Sequence, residues 1–296
     1  MKAVLFILRS LGVGGVLVLL LSSQAKSKNY IPYHNKCNAA CALMSESKFA
    51  EAADSLQAAF QLVDQAFAKD LFNLSKCYAQ LNEADSAMKY LFMALQQQDL
   101  KAELKSQRAI FKKVIDDDLW LSIRKTEYYQ APELEDWQKE VIAQLEDLKT
   151  LDQHYRLIYR DSIKVWHYDD MELRSIYRDS IVRNDSITHA ALEKIILEYG
   201  WPGYHHLGNR KSFAGLILLH SNEAWFQKMD SVLIREIELG NLNPNSYASL
   251  ADRIQLRKKL SPLYNAYSAF NEEESQRIIE NCRKIGAALP KNRSCR

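Results

Sequence analysis

Five side chains in the C-terminal half have the types and spacing for acid–base chemistry: Asp152, Arg156, His220, Asp252 and Arg253. His220 closes the apolar run Phe213 to Leu219, so its imidazole is expected at a buried position where it must find a partner. Imidazole titrates near neutral pH. Beside Asp252 it would act as general acid or base, with Arg156 or Arg253 clamping an anionic group of a substrate. The expected catalytic set is therefore His220, Asp252 and Arg253, and the expected ligand-binding set begins with Asp152 and Arg156. The same residues also suit a structural role. Asp152 and Arg156 stand four apart, share a helix face and can pair. Asp252 and Arg253 are adjacent, point about 100° apart on a helix, and cannot serve one contact together. In that role the pairs lock helices and His220 bonds a backbone carbonyl.

His205-His206 with His220 is the one grouping that suggests a metal. Adjacent histidines in a loop point apart, and no carboxylates follow at ligand spacing, so no metal is expected. There is no Gly-x-Ser-x-Gly, phosphate loop, dinucleotide fingerprint or His-Glu-x-x-His, and no cofactor is expected.

The element that must position these groups is Gly200-Trp201-Pro202-Gly203-Tyr204-His205-His206-Leu207-Gly208. Gly supplies backbone angles that other residues resist, and Pro fixes its own. Gly200 is expected to stop a helix running from about Ile187, capped by Asp185 or Ser186, and Pro202 to prevent its resumption. Trp201 either stacks on a ligand or packs the turn against its helices. Downstream, Asn222 is expected to cap a helix ending at Gly240, and Asn243-Pro244-Asn245 to form a turn before a helix from Ser246 that carries Asp252 and Arg253. Asn271 to Glu274 opens a last helix that Gly286 closes.

From Glu133 to Tyr199 there is neither Gly nor Pro. Within that stretch Ile158-Tyr159-Arg160-Asp161-Ser162-Ile163 recurs as Ile176-Tyr177-Arg178-Asp179-Ser180-Ile181. An unbroken helix would stack both copies on one face. A break near His167–Asp170 would set them against each other across a hairpin. The stripe either binds an anion or peptide, or is a solvated, salt-bridged face.

Residues 33 to 100 repeat with a period near 34. Ala52, Leu56 and Ala59 recur as Ala87, Leu91 and Ala94. The pattern resembles a pair of tetratricopeptide repeats, which implies helical hairpins and a concave surface for a protein or peptide partner. The alternative is a pair that packs against the rest of the chain. Asp116-Asp117-Asp118 is expected to be a solvated helix end, since no second carboxylate cluster completes an oxygen cage.

The pieces Asp152-Gln153-His154-Tyr155-Arg156, Glu198-Tyr199-Gly200-Trp201-Pro202, His220 and Ala251-Asp252-Arg253-Ile254 resemble a bacterial family of unknown function, number 6624 among domains so labelled. The likeness covers about residues 145–267. It implies one domain, with Asp152, Arg156, Trp201, Pro202, His220, Asp252 and Arg253 at motif positions. Family members often continue into Gly-x-x-Gln-x-Tyr-Gly-Thr-Gln. Here only Tyr264 of that segment is kept, which adds Tyr264 to the ligand-binding set. The usual His-Ala-Asp is His220-Ser221-Asn222 here, one carboxylate fewer.

Residues 1–25 read as a secretory signal. Lys2 and Arg9 precede the apolar run Leu11 to Leu21, and Ser23-Gln24-Ala25 fits small-x-small cleavage. The run is short of the ~20 apolar residues of a membrane span. With Lys2 and Arg9 gone, 37 basic residues face 37 acidic ones, a balance without the footprint of a nucleic-acid binder. Of five cysteines, Cys282 and Cys295 are placed to pair near the C-terminus, while Cys37, Cys41 and Cys77 suit small buried positions. The expected organisation is a signal (1–25), paired-helix repeats (30–118), a connecting helix (119–144) and a helical domain (145–296). The fold class is all-α. The function expected is that of an exported, non-catalytic binding or scaffold protein, periplasmic or extracellular, without nucleic acid and without a membrane span after cleavage. The alternative is a ligand-processing, hydrolase-like enzyme.

Overall fold

The computed structural model describes residues 29–130, 133–207, 213–264 and 272–289, without the side chains of 204–205 and 272–274. The expected leader, Cys295 and Asn271 lie outside these residues. Among the described residues the fold is all-α, and no helix is long and apolar enough to cross a membrane.

Helices α1 (Tyr30–Ser45), α2 (Phe49–Phe60), α3 (Ala68–Gln80) and α4 (Ala84–Gln97) pack each against the next. The six repeat positions Ala52, Leu56, Ala59, Ala87, Leu91 and Ala94 are all fully buried. The turns repeat too. Ser47 and Asn82, 35 apart, both adopt left-handed backbone angles, φ 60° and 61°. After each, an N–H turns back to the preceding helix, Lys48 to the Leu43 carbonyl and Glu83 to the Tyr78 carbonyl, both at 2.9 Å. That is the αL helix ending that satisfies orphan carbonyls. Between the hairpins, the Tyr33 hydroxyl donates to buried Asp70 (2.6 Å) and accepts from the Phe67 N–H (3.0 Å).

A second apolar cluster continues from α3 and α4 through α5 (Lys101–Ser106), α6 (Arg108–Phe111) and α7 (Asp117–Lys125), with Leu104, Phe111, Trp120 and Ile123 buried. Asp116 caps α7 by accepting from the Leu119 N–H at 2.7 Å, so the triple acid is a helix start, as expected.

Residues 126–135 separate α7 from α8 (Asp136–Ile158), which crosses the expected boundary at 144/145 without a break. It widens into a π turn (Tyr159–Ile163), continues as α9 (Lys164–Trp166) and reverses at His167–Asp170 into α10 (Met171–Tyr199). The two Ile-Tyr-Arg-Asp-Ser-Ile copies therefore lie on opposite arms of a hairpin. The Arg178 Nε donates to the Tyr159 hydroxyl at 3.1 Å, and Tyr155 meets Tyr177 edge-on at 6.0 Å. The far end is open to solvent, with Trp166 77% exposed. The expected helix start at Asp185 or Ser186 is absent. Asp170 caps one helix of 29 residues, its carboxylate accepting from the Leu173 N–H at 2.8 Å. Nothing between 171 and 199 breaks a helix, and Asp185 is engaged across the hairpin instead.

Gly200 ends α10 at φ 79° as expected. There follow α11 (Tyr204–Leu207), α12 (Ala214–His220), α13 (Glu223–Glu238), α14 (Pro244–Arg257) and α15 (Glu272–Ile285). Asn222 caps α13, accepting from the Trp225 N–H at 2.9 Å. The expected turn at 243–245 is itself the start of α14, with Asn243 as cap and Pro244 in its first turn. Buried Glu236 ties the Gly200 turn down: its Oε2 accepts from the Trp201 N–H (2.9 Å) and the Asn241 amide (2.8 Å). The third apolar cluster joins α8, α10 and α12–α15 around Leu192, Leu233 and Ile254.

Helix α1 also belongs to this C-terminal unit. It packs on α13 and α15. Asn35 and Asn38 donate to the carbonyls of Arg283 (2.8 Å) and Gly286 (3.0 Å). Cys41 is disulfide-bonded, and Cys37, Cys77 and Cys282 are buried thiols. The expected Cys282–Cys295 bridge is thereby corrected. Cys282 faces inward from α15, its sulfur 3.8 Å from the Tyr264 carbonyl oxygen.

Candidate functional site

Asp152 and Arg156 sit on the face of α8 that meets α10 and α12. The Asp152 side chain has no solvent exposure, and Arg156 Nε stands 3.7 Å from its Oδ1. His220, the last residue of α12, brings Nδ1 to 2.8 and 2.9 Å from the two Asp152 oxygens. The Gln153 amide adds a bond at 2.6 Å. Arg156 also forms an ion pair with Asp185 of α10, and Asn184 donates to the Leu151 carbonyl at 2.8 Å. Burial pushes Asp152 toward protonation. Hydrogen bonds from His220 and Gln153 and the charges of His220 and Arg156 outweigh it, and hold the carboxyl below the usual carboxylate range.

One helical turn past Asp185 lies His189, 3% exposed, its ring 5.6 Å from that of Trp225 on α13. Burial lowers its pKa, partly countered by Asp185 and Asp152, so it sits neutral at pH 7. Among the described residues neither ring nitrogen has a hydrogen-bond partner, nor do the buried Ser221 hydroxyl and Trp225 indole N–H, and Arg156 Nε has only its longer ionic contact with Asp152.

Of the expected groups the structure brings together three: Asp152, Arg156 and His220. The pairing of His220 with Asp252 is corrected. Fully buried Asp252 turns the other way, its Oδ1 accepting from the N–H groups of Leu263 (2.7 Å) and Tyr264 (2.8 Å). Its neighbour Arg253 points toward α12 and donates to the Leu219 carbonyl. Arg257, one turn on, donates to the Ser221 carbonyl at 3.2 Å. The ~100° between adjacent helix positions thus sends the acid to one loop and the base to the end of α12. Trp201 is buried beneath its turn, with its carbonyl 2.9 Å from His206 Nδ1. Tyr264 packs edge-on to Tyr247 at 6.1 Å, and burial pushes its hydroxyl up to about 12. Among the described residues no group of three or more His, Cys, Asp or Glu is placed to hold a metal.

Asp185, His189, Ser221 and Trp225 are the members that sequence reasoning missed. The Asp185–His189 spacing of four, which places both on one helix face, was the available signal. His189 should register in a pH series. Its folded pKa is depressed, so between that value and ~6.5 the unfolded chain binds more protons than the folded one, and stability falls as pH drops through this window. Thermal melts of the wild type between pH 7 and 5 should show this fall, and His189→Asn should flatten it. Parallel curves would mean that His189 titrates alike folded and unfolded, despite Asp185, Asp152, His220 and Arg156 around it.

A separate feature lies at the other end of α12. A cavity of about 340 Å³ opens where the repeat helices meet the C-terminal unit. One wall carries His34, Phe67 and Asp70, with the His34 and Phe67 rings stacked at 5.7 Å; the other carries Trp201, Gly215 and Asn241. Gly215 and His220 are five residues apart, about 140° around the helix, so cavity and polar cluster face different directions. Comparisons with protein-family models, with curated proteins and with solved structures find no match.

Proposed function

We propose that this is an exported, non-catalytic binding protein of the bacterial cell envelope, which holds a peptide or protein segment in the cleft between its repeat helices and its C-terminal unit. The observation that carries the reading is the cleft itself: about 340 Å³, lined from both halves by aromatic rings, small residues and a few polar groups. Ligand sites favour such junctions and that size. The likeness of α1–α4 to tetratricopeptide repeats supports a peptide occupant, since α13 and α15 cover part of α1 and leave the cleft as an accessible recess. A disulfide at Cys41 supports an oxidising compartment outside the cytoplasm. The likeness of residues 145–267 to the unknown-function family supports treating that segment as one unit and adds no activity.

Gly215 supplies the test. Among the described residues, nothing lies within 4 Å of a Cβ built there. Gly215→Leu therefore starts its side chain in the open space of the cleft, and should raise helix stability by up to about 1 kcal/mol. Peptides selected on the wild-type protein from a display library should bind this variant at least tenfold more weakly, while its melting temperature holds or rises. Equal binding by the two proteins would remove the cleft from the proposal.

The second reading is the ligand-processing enzyme, favoured by the Asp152–His220 bond at 2.8 Å. An aspartate on Nδ1 orients an imidazole for proton transfer at Nε2. A hydrolytic activity abolished by His220→Gln in a protein that still melts normally would move the assignment there.

A further inference from the structure

We infer that Cys41 of α1 forms its disulfide with Cys295, so that the end of the chain is covalently tied to the first helix. The sequence holds five cysteines. Cys41 is disulfide-bonded, while Cys37, Cys77 and Cys282 are free, buried thiols. That leaves Cys295, which lies outside the described residues, as the one cysteine of this chain able to complete the bond. Contacts around Cys41 favour the same pairing. Asn38 stands one helical turn before it, so the two share a face of α1. That face meets the end of α15, where the Asn38 amide donates to the Gly286 carbonyl at 3.0 Å. Ala42, the next residue, lines a recess of about 320 Å³ together with Ala287 and Leu289. The stretch from Gly286 to Cys295 can span up to ~30 Å, against a rise of only ~4.5 Å from Asn38 to Cys41. Reach is no obstacle.

The other thiols are held where exchange is slow. Cys37 and Cys77 belong to the apolar cluster of the first hairpins. Burial pushes the Cys77 thiol up to about 12, far from the thiolate that disulfide exchange requires. Cys282 points at the Tyr264 carbonyl oxygen. Forming the bond removes two electrons and two protons from the pair. A small-molecule or protein disulfide takes the electrons. One cysteine thiolate attacks it, giving a mixed disulfide and one released thiol. The second thiolate then displaces the remaining sulfur, so the donor leaves as two thiols and the Cys41–Cys295 bond is made. The bond closes a loop of roughly 250 residues, and loops of that length gain most from a cross-link. It also has a bearing on the cleft. Helix α1 carries His34 in the cleft wall, so tying α1 to the chain end fixes that wall.

The test is peptide mapping of the full chain after incubation with oxidised glutathione, denaturation, alkylation without reduction, and digestion with trypsin. Cleavage after Lys36, Lys48 and Arg293 puts Cys37 and Cys41 in one peptide and Cys295 in another. The expected result is these two peptides joined, with Cys37, Cys77 and Cys282 alkylated. Thermal melts give a second readout. Dithiothreitol should lower the wild-type melting temperature by about 5 °C or more. Cys295→Ser should start at the lowered value and not respond to dithiothreitol, while Cys282→Ala should keep the wild-type response. The peptide with Cys37 and Cys41 recovered with both thiols alkylated would overturn the inference. So would its joining to a Cys77 or Cys282 peptide or to a second copy of itself, or a Cys295→Ser protein still destabilised by dithiothreitol. Because the oxidant is supplied in vitro, the pairing can stand even where export fails.

Discussion

Asp152→Ala is expected to cost about 3–5 kcal/mol of unfolding free energy, the range for removing one member of a buried ion pair. The carboxylate is wholly buried and receives His220 and Gln153 directly, with Arg156 close by. Its loss leaves the His220 ring without its Nδ1 partner at the end of α12, a helix of only seven residues that cannot hold its position alone. Asp152→Asn keeps the shape and one acceptor, so it should cost less. Urea denaturation of both variants measures this. A loss under about 1 kcal/mol for Asp152→Ala would mean that the cluster behaves like a solvent-screened surface pair. The sign for acid conditions follows from the same carboxylate. Its folded pKa is depressed, so its contribution is full above the unfolded value of ~3.9 and is lost as pH falls through the folded one.

Gly203→Ala should be comparably damaging for a steric reason. A Cβ on Gly203 would fall on the Asn241 carbonyl oxygen and come within 2.9 Å of the Trp201 ring. Backbone cannot step aside as a flexible side chain can, so the turn would separate from the loop after α13. Overpacking of this kind costs about 1–3 kcal/mol, occasionally more, and the upper end is expected here because Glu236 ties both segments together. Denaturant melts would give the cost. Ligand titration would show the second effect, because Gly203, Trp201 and Asn241 all line the cleft. A Gly203→Ala protein with wild-type stability and ligand affinity would show that the approach is not needed.

The helical class, the repeat period, the Gly200 ending and the Asn222 cap were legible because each rests on local sequence. A 35-residue echo, a glycine at φ 79° and an Asn three residues before the N–H it accepts all declare themselves within one or two turns. The partner of His220 was not legible. Asp152 and Asp252 are both aspartates on helices that pack against α12 and have an arginine nearby, and only the side of α14 on which Asp252 falls decides between them. The same holds for Asp185. A helix-capping residue type inside a run without Gly or Pro reads as a start, yet it is a mid-helix acid that meets Arg156 across the hairpin. The cleft was invisible for a related reason. It exists only where two stretches far apart in sequence meet.

The two amide bonds from Asn35 and Asn38 of α1 to the end of α15 each span 248 residues of chain. Contacts of such separation form late, because a long loop must close before they repay its entropy. The first two helical hairpins can fold from local contacts as they emerge during synthesis. The flank of α1 that meets α15 cannot be covered until residues 283–286 exist. During synthesis it stays open to chaperones or to aggregation. Truncation before α15 would therefore injure the N-terminal hairpins as well as the C-terminal unit, and the molecule should unfold in one cooperative step rather than half by half.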